Sequence, residues 1–324
     1  MKIKSLLLQS IFFTCIYINF AYAEYPDKTV RIVVGFSPGG GSDVIARVIA
    51  QRLSDSLKAN VIVENRPGAG GMLAAELIAN APPDGYHLLL GTSAEMTISP
   101  PLYGRASYKP SSDFIPISLL GLSPAILVAN PNFPAKDIRD VIAEAKKNPG
   151  KVTIASGGAG TAPHLAAEQL KVVGGVDFVI AQYKGAGPSQ TDAIAGHVPL
   201  VFTTIASALP AIKAKQLKPL TVISQKRSTL LPEVMFTGEL GFKNYSAITW
   251  FGLFSPANTP KYILDKLRNV INQSLSDSEL RSRFEAMGIE PASAEEGGEA
   301  LRQRVIDELA NWSRLIKDAG IKAE

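Results

Sequence analysis

The stretch that decides the fold runs from Thr29 to Asp43 and reads TVRIVVGFSPGGGSD. Its first six residues are β-branched except for one arginine, which predicts a buried strand, and three consecutive glycines then break the chain. Apolar residues at helical spacing follow from Val44 to Leu53, and Ser42 is placed to cap that helix. A strand, a glycine turn and a helix in this order indicate an α/β protein.

The same alternation continues along the chain. Further strands are predicted at Asn60–Glu64, His87–Leu90, Ala125–Ala129, Val152–Ala155, Asp177–Gln182, Pro199–Thr203, Leu220–Ser224 and Ile248–Phe254. Helices are predicted at Met72–Asn80, Ile138–Lys147, Ala162–Val172, Ser189–Ala195 and Leu209–Lys215, and through most of the chain after Pro260. Connections this short join parallel strands through right-handed crossovers.

The strand–helix units fall into two blocks, one before about residue 120 and one after it. This predicts two α/β lobes, each a mostly parallel sheet flanked by helices. The strand Ile248–Phe254 offers a route back to the first lobe. We therefore expect lobe 1 to combine residues 24–124 with 248–324 and lobe 2 to span residues 125–247. In such a fold a ligand lies between the lobes, at the carboxyl ends of the strands.

Composition excludes several classes of function. Of the 324 residues, 46% are hydrophobic and 19% charged, which is enough apolar material for a core. The net charge of +4 comes from interspersed residues, so no nucleic-acid partner is expected. One cysteine and three histidines exclude a disulfide framework and a cysteine-rich zinc site. Phosphate-loop, dinucleotide and metalloprotease motifs are absent from the sequence, so neither a cofactor nor a metal is expected.

The N-terminus has the three parts of a signal peptide. Lys2 and Lys4 precede a largely apolar run, Leu6–Phe20, and Ala21–Ala23 matches the small-residue cleavage pattern. We expect cleavage after Ala23 and export of residues 24–324. The alternative, a retained membrane anchor, has no second signal in its favour.

Four glycine-rich or polar loops each follow a predicted strand and precede a helix. They are Phe36–Asp43, Asn65–Gly71, Ser156–His164 and Tyr183–Pro188. Glycine lets backbone N–H groups approach a ligand closely, and a helix N-terminus adds roughly half a positive charge. One such loop alone would indicate only a tight turn. Four at equivalent strand ends favour an anion site that needs no charged side chain.

A serine hydrolase is an alternative from a different class. Gly35–Gly39 matches the G-x-S-x-G nucleophile elbow between a strand and a helix, with Ser37 as the nucleophile. That elbow uses the N–H of the residue after the serine, and Pro38 has none. Loss of one such donor costs about two to three orders of magnitude in rate. His164 and His197 form no obvious triad arrangement in the sequence.

Three polar side chains near the loops each have two interpretations. Asp43 and Asp192 lie near helix starts, where a carboxylate stabilises the helix dipole. In a cleft each could instead accept a hydrogen bond from an amine or hydroxyl of a ligand. His164 lies one turn into a helix that is expected to open on the cleft, so it is either structural or a polar ligand contact.

The loops, in this order and spacing, resemble the Bug family, the extracytoplasmic solute-binding proteins of tripartite tricarboxylate transporters. The resemblance covers essentially the whole chain after the signal peptide. The segments that carry it are Tyr25–Pro26, Val33–Asp43, Glu64–Gly71, Pro83–Tyr86, Ser156–Leu165, Tyr183–Pro188 and Trp250–Pro256.

The resemblance implies a two-lobed Venus-flytrap fold of the type II-like periplasmic binding-protein kind, without catalysis. It implies that a small organic carboxylate binds between two pincer loops, Ser37–Asp43 and Ser156–His164. The residues expected to bind the ligand are Phe36, Ser37, Gly40, Gly41, Asp43, Ala69, Thr92, Ser156, Gly160, Thr161, His164, Gly185, Asp192 and Thr203.

One departure from the family pattern affects the ligand. Many relatives carry an acidic motif after the strand that corresponds to Pro199–Phe202, where this chain has Thr203 and Thr204. Loss of that acid disfavours a ligand amino group at this point. The expected protein is a periplasmic, monomeric receptor that delivers a carboxylate to large and small integral membrane subunits. The alternative partner is the ectodomain of a membrane sensor.

Overall fold

The computed structural model describes residues 25–293, 296–319 and 321. The predicted signal peptide, residues 1–23, lies outside the described residues. Within the described part of the chain, no helix has the length and the apolar composition needed to cross a membrane.

Ten strands are present among the residues that the structure describes. They are β1 (Val30–Val34), β2 (Val61–Asn65), β3 (His87–Thr92), β4 (Phe114–Ala129), β5 (Thr153–Ser156), β6 (Val179–Gln182), β7 (Leu200–Thr204), β8 (Lys218–Ile223), β9 (Ile248–Pro256) and β10 (Glu290–Pro291). All predicted strands are found, and their ends differ from the prediction by at most two residues except in β4.

Ten α-helices flank the strands in the described part of the chain. They are α1 (Gly41–Leu57), α2 (Met72–Ala79), α3 (Ser99–Tyr103), α4 (Ile138–Lys147), α5 (Ala162–Gly174), α6 (Ala186–Ala195), α7 (Ile205–Lys213), α8 (Lys261–Ser276), α9 (Ser278–Ala286) and α10 (Gly298–Ala319). A 3₁₀ turn at Ala69–Gly71 precedes α2, and a π-helical turn at Ala94–Ile98 follows β3.

The strands form one mixed sheet in the order β2-β1-β3-β9-β4-β7-β5-β6, with β8 and β10 also paired to β4. The neighbours β2-β1-β3 and β7-β5-β6 are parallel, as the predicted crossovers require. The strands β9 and β4 run antiparallel to their neighbours and connect these two groups. The predicted α/β class is confirmed, and the sheet is mixed because of these two strands.

Strand β4 joins the two halves of the sheet. Its first part pairs with β9 as far as Pro124 opposite Ile248, and from Ala125 onward it pairs with β7 and β8. Sequence patterns predicted only the second part. Prolines and a glycine interrupt the first part, and register shifts between Pro116 and Gly121 accommodate them.

Both faces of the sheet are buried, which explains why its strands are apolar without alternation. In β1, Val30, Ile32 and Val34 face a core that contains α1 and α8, while Val33 faces a second core that contains α2. In β4, Leu127 faces the α4 and α5 side and Ile126 faces the α7 side. Successive side chains of a strand point to opposite faces, so helices on both sides are required.

The start of α1 differs from the prediction. Gly40 is the N-cap and the helix begins at Gly41, so the expectation that Ser42 is the cap is wrong. The Asp43 carboxylate accepts a 3.1 Å hydrogen bond from the Gly39 N–H and closes the turn before Ser42. Ser42 is therefore inside the first helical turn.

Candidate functional site

A cavity of about 520 Å³, part of it open to solvent, lies where the carboxyl ends of the parallel strands meet. Both halves of the sheet contribute to its wall. The lining residues are Phe36, Gly40, Gly41, Ser42, Thr92, Ala94, Gly157, Thr161, Ala162, Pro163, Ala186, Thr203, Thr204, Ser207, Thr249 and Phe251.

Four helices begin at this cavity. The first residues of α1, α5 and α6 line it, and α7 contributes its N-cap Thr204 and first-turn residue Ser207. The first N–H groups of a helix have no partner within the helix, and together with the helix dipole they attract an anion. Among the residues of the wall that the structure describes, none carries a charged side chain. The cavity is therefore polarised by backbone groups and hydroxyls.

Hydrogen bonds to Asp43 stabilise the loop before α1. Its buried carboxylate accepts hydrogen bonds from the Gly39 N–H, from Asn65 Nδ2 at 3.1 Å, and from Arg47 Nε and Nη2 at 3.0 Å each. Burial opposes ionisation, but the hydrogen bonds from Arg47, Gly39 and Asn65 outweigh it and keep the pKa of Asp43 below its ordinary value. Asp43 lies behind the cavity wall and shapes the loop.

Thr161 holds the loop before α5. Its hydroxyl donates to the Gly158 carbonyl at 2.8 Å and accepts from the His164 N–H at 3.2 Å, so it is the N-cap of α5. The buried His164 ring accepts the Gly160 N–H at Nδ1, 3.3 Å away, and its Nε2 lies 3.6 Å from Glu168 Oε1. His164 and Gly160 therefore stabilise the loop from behind, while Thr161 faces the cavity.

Loops from the two halves of the sheet contact each other around the cavity. The Ser37 hydroxyl donates to the Lys184 carbonyl at 2.7 Å, and the Gly41 N–H donates to Ser207 Oγ at 2.9 Å. The Ser99 hydroxyl lies 3.3 Å from the Gly160 carbonyl oxygen. These contacts join the two sides of the cavity.

The remaining predicted residues lie outside the wall of this cavity. Ser156 is fully buried at the end of β5, and its hydroxyl has no hydrogen-bond partner among the described residues. Gly185 contacts Ser37, and Asp192 accepts a 2.6 Å hydrogen bond from the Tyr183 hydroxyl. Ala69 lines an adjoining opening of about 560 Å³ that shares Phe36 and Gly157 with the main cavity.

Comparison with known proteins identifies the family of this chain. A family model described as "Tripartite tricarboxylate transporter family receptor" matches residues 45–321. The chain belongs to this receptor family. Protein BugT of Bordetella pertussis is similar to it, with 33% identity over 299 residues that cover 92% of this chain and 91% of BugT. The predicted resemblance to the Bug family is confirmed.

Solved structures of similar receptors share the fold. The periplasmic binding protein BugD superposes with a TM-score of 0.88 at 32% identity, covering 93% of this chain and 100% of BugD. A Rhodopseudomonas palustris protein solved with adipate superposes with a TM-score of 0.89 at 29% identity, covering 92% of this chain and 99% of that protein. MatC of the same organism, with bound malate, superposes with a TM-score of 0.85 at 29% identity, covering 90% of this chain and 100% of MatC. The two-lobed periplasmic binding-protein fold is thus established for this receptor.

Of the fourteen residues predicted to bind ligand, six line the cavity of the receptor. They are Phe36, Gly40, Gly41, Thr92, Thr161 and Thr203. The other eight do not line it. Seven lie in or behind the same loops or in the adjoining opening, and they are Ser37, Asp43, Ala69, Ser156, Gly160, His164 and Gly185. Asp192 lies on α6, away from the wall, and is hydrogen-bonded to Tyr183.

Sequence reasoning missed several residues of the receptor's wall. Thr204 and Ser207 belong to an N-capping pattern, because the Thr204 hydroxyl accepts the Ser207 N–H at 3.2 Å, and this pattern was recognisable in the sequence. Thr249 and Phe251 lie on β9, where alternation turns them to the cavity side and Trp250 to the core. Because β9 is continuously apolar, its sequence does not indicate which of its two faces contacts a ligand.

The environment of Ser37 differs from that of a hydrolase nucleophile. Its hydroxyl hydrogen is directed at the Lys184 carbonyl, and no described hydrogen bond joins it to a histidine. The receptor's family and its solved neighbours are solute-binding proteins.

Proposed function

We propose that this protein is a periplasmic receptor that captures a small organic carboxylate in its cleft and delivers it to the membrane subunits of a tripartite tricarboxylate transporter. The observation that carries the proposal is the convergence of four helix N-termini on a cavity whose described wall residues carry no charged side chain. That arrangement suits an anionic group because N–H groups and helix dipoles provide the attraction. It performs binding without catalysis.

The chemical class of the ligand follows from the cavity and from its relatives. The hydroxyls of Thr203 and Ser207 lie beside the helix starts and can donate to carboxylate oxygens. The wall combines apolar residues such as Phe36 and Phe251 with a few polar groups, as is usual for sites that bind small molecules. Relatives solved with adipate and with malate hold dicarboxylates, and we assign a small dicarboxylate to this chain.

Ligand binding is proposed to favour closure of two lobes, residues 24–124 with 248–324 and residues 125–247. Support comes from the change of β4 partners after Pro124, and from the Ala125 N–H, which donates to the Ala247 carbonyl at 2.8 Å where the chain crosses back. A ligand that contacts both sides binds the closed form better, so it shifts the population toward closure. The closed form is the one that the transporter subunits are proposed to recognise.

Export is part of the proposal. A signal peptide cleaved after Ala23 places the receptor in the periplasm, where it meets the large and small membrane subunits. The membership of this chain in the receptor family supports that location. Mass spectrometry of the protein isolated from the periplasm is expected to find an N-terminus at Glu24.

A thermal-shift screen tests the function. Malate, adipate and citrate are compared with glucose and with dimethyl adipate, which has the shape of adipate without its charge. A carboxylate at about 100 times its Kd adds about 2.7 kcal/mol of stability, and the neutral compounds should leave Tm unchanged. Stabilisation by glucose, with none by any carboxylate, contradicts the assignment.

A pair of variants localises the binding site. Thr203→Asp places a negative charge in the cavity wall and is expected to abolish carboxylate binding, because like charges repel where water is excluded. Thr191→Asp adds the same charge on the exposed side of α6 and should bind normally. Equal binding by both variants would show that the carboxylate binds elsewhere.

A further inference from the structure

Behind the cavity wall lies a buried acid, Glu95, in the π-helical turn that follows β3. It is 0% exposed, and no basic side chain of the described chain pairs with it. An ionised carboxylate in such a place loses its hydration without gaining a counter-charge, which is costly. Anion binding by helix N-termini does not require this residue. Its position therefore points to a separate role.

Glu95 is hydrogen-bonded to a residue of the cavity wall. Its Oε1 accepts the Thr92 N–H at 2.8 Å, and its Oε2 lies 2.6 Å from Thr92 Oγ1. The Ala94 N–H donates to the same Thr92 Oγ1 at 3.1 Å. Thr92 and Ala94 both line the cavity. One carboxyl group thus controls the backbone and the hydroxyl of a single wall residue.

The protonation state of Glu95 decides which part of the Thr92 hydroxyl is free to contact a ligand. A hydroxyl has one hydrogen to donate and two lone pairs to accept with. When Glu95 is ionised, Thr92 donates its hydrogen to Oε2 and accepts from Ala94, so only a lone pair remains for a ligand. When Glu95 is protonated, its O–H donates to Thr92, and both lone pairs are used. The hydroxyl hydrogen is then the group left for a ligand.

We propose that Glu95 is a positioning residue that decides whether Thr92 donates to the ligand or accepts from it, and that binding of a carboxylate is accompanied by uptake of one proton by Glu95. The proton comes from solvent and binds Oε2. The Thr92 hydrogen turns from Glu95 to the ligand carboxylate, and no other bond is made or broken. This inference rests on the proposed carboxylate-binding function.

The electrostatics agree with the hydrogen-bond geometry. Burial raises the pKa of Glu95 to about 7, against the opposing effect of its hydrogen bonds with Thr92. A carboxylate in the cavity brings a second negative charge close to Glu95 and raises this pKa further. Affinity is therefore highest below the pKa of the free protein and falls as the pH rises above it. If the ligand raises the pKa by one unit, Kd is about sixfold weaker at pH 8.5 than at pH 6.5.

The other ionisable groups around this turn lie on four neighbouring segments. Tyr108, whose hydroxyl donates to the Glu95 carbonyl at 2.6 Å, has its pKa raised by burial and stays neutral over this range. Tyr103 and Arg105 lie at and after the end of α3, Glu76 on α2, and Glu308 with Arg304 on α10. Glu308 is also a largely buried acid with a raised pKa, but it contacts Thr97, Trp250 and Arg304. Because Thr97, Trp250 and Arg304 do not line the cavity, Glu308 provides a matched control.

Isothermal titration calorimetry with malate and adipate tests the inference between pH 6.5 and 8.5, where both probes are fully ionised. Titrations at each pH use two buffers of different ionisation enthalpy, which reports the number of protons taken up. The wild type is expected to take up between half a proton and one proton near pH 7.5 and to bind several-fold more weakly at pH 8.5.

Three variants assign the effect to one side chain. In Glu95→Gln the amide donates permanently to Thr92, so binding should keep the low-pH affinity throughout and take up no proton. Glu308→Gln should keep the pH dependence of the wild type. Thr92→Val removes the hydroxyl and should weaken binding several-fold at pH 6.5. The proton count of the wild type tests the inference even if a variant does not fold.

Two results would overturn the inference and leave the proposed function intact. One is carboxylate binding by the wild type with a constant Kd and no proton uptake. The other is loss of the pH dependence in Glu308→Gln but not in Glu95→Gln. Failure of every carboxylate to bind at any pH would instead contradict the proposed function, and the inference would fail with it.

Discussion

The hydroxyl of Ser37 donates a 2.7 Å hydrogen bond to the carbonyl of Lys184, a residue 147 positions away in the chain. The bond joins the loop before α1 to the loop before α6. Gly185 allows this approach, since a Cβ built there would lie only 3.3 Å from Ser37 Cβ. Such a contact exists only while the two loops are together, so it would stabilise the closed form that we propose for the cleft.

Ser37→Ala is expected to weaken carboxylate binding by about two- to tenfold. A net hydrogen bond contributes about 0.5–1.5 kcal/mol, and here it would be lost from the closed form only. Calorimetry measures the change, with Ser111→Ala, at an exposed serine, as the control. A wild-type esterase activity that disappears in Ser37→Ala would instead support the hydrolase alternative.

Gly160→Ala should impair both stability and binding. Gly160 has φ +78°, and an added Cβ would overlap the Ser99 hydroxyl across the cleft. Gly241→Ala is the control because its φ is +89° and no atom lies within 4 Å of the added Cβ. Backbone strain of about 1–2 kcal/mol is expected for both by urea denaturation. Only Gly160→Ala should also weaken carboxylate binding, by more than tenfold. Normal binding by Gly160→Ala would show that the contact with Ser99 is dispensable.

The stabilising effect of Asp43 should depend on pH. Its pKa is lower in the folded protein than in the unfolded chain, where it is about 3.9. The stabilisation is therefore complete above that value and is lost as the pH falls through the folded pKa. Asp43→Asn is expected to lower the free energy of unfolding by about 1.5–3 kcal/mol at pH 7. Urea denaturation at pH 7, 5 and 3 should show the difference from wild type shrinking only at the lowest pH; a constant difference would argue against this role.

The cap of α5 can be tested by graded substitution. Thr161→Ala removes the acceptor of the His164 N–H and the donor to the Gly158 carbonyl. A lost N-cap costs about 1 kcal/mol, which should lower Tm, and carboxylate affinity should fall because Thr161 also lines the cavity. Thr161→Ser retains the hydroxyl and should therefore recover most of the Tm and most of the carboxylate affinity of the wild type. Failure of serine to recover either property would show that the methyl group, rather than the hydroxyl, matters.

Local sequence patterns predicted most of the elements and the loops of the site. Buried strands on a two-faced sheet are continuously apolar, and glycines mark the turns after them, as in the stretch from Thr29 to Asp43. The first part of β4 escaped prediction because Pro116, Gly121 and Pro124 interrupt its pattern. Pairing with β9 overrides those local preferences by supplying a long partner strand.

The roles of individual polar side chains were not predictable in the same way. Asp43 and His164 were candidates for ligand contact, and each lies behind a loop, with backbone N–H groups as partners. No local sequence pattern indicates that Glu95 is fully buried beside a residue of the cavity wall. Burial and partners are properties of the packed chain.

The sequence by itself determined the α/β alternation, the glycine loops after the strands and the family resemblance, because these depend on residues close together in the chain. Tertiary structure alone decided which loops meet across the cleft and which hydroxyls face it. Contacts such as Ser37 with Lys184, or Gly41 with Ser207, join residues about 150 positions apart. The order of strands in the sheet brings them together, and that order is set by the packing of the whole chain.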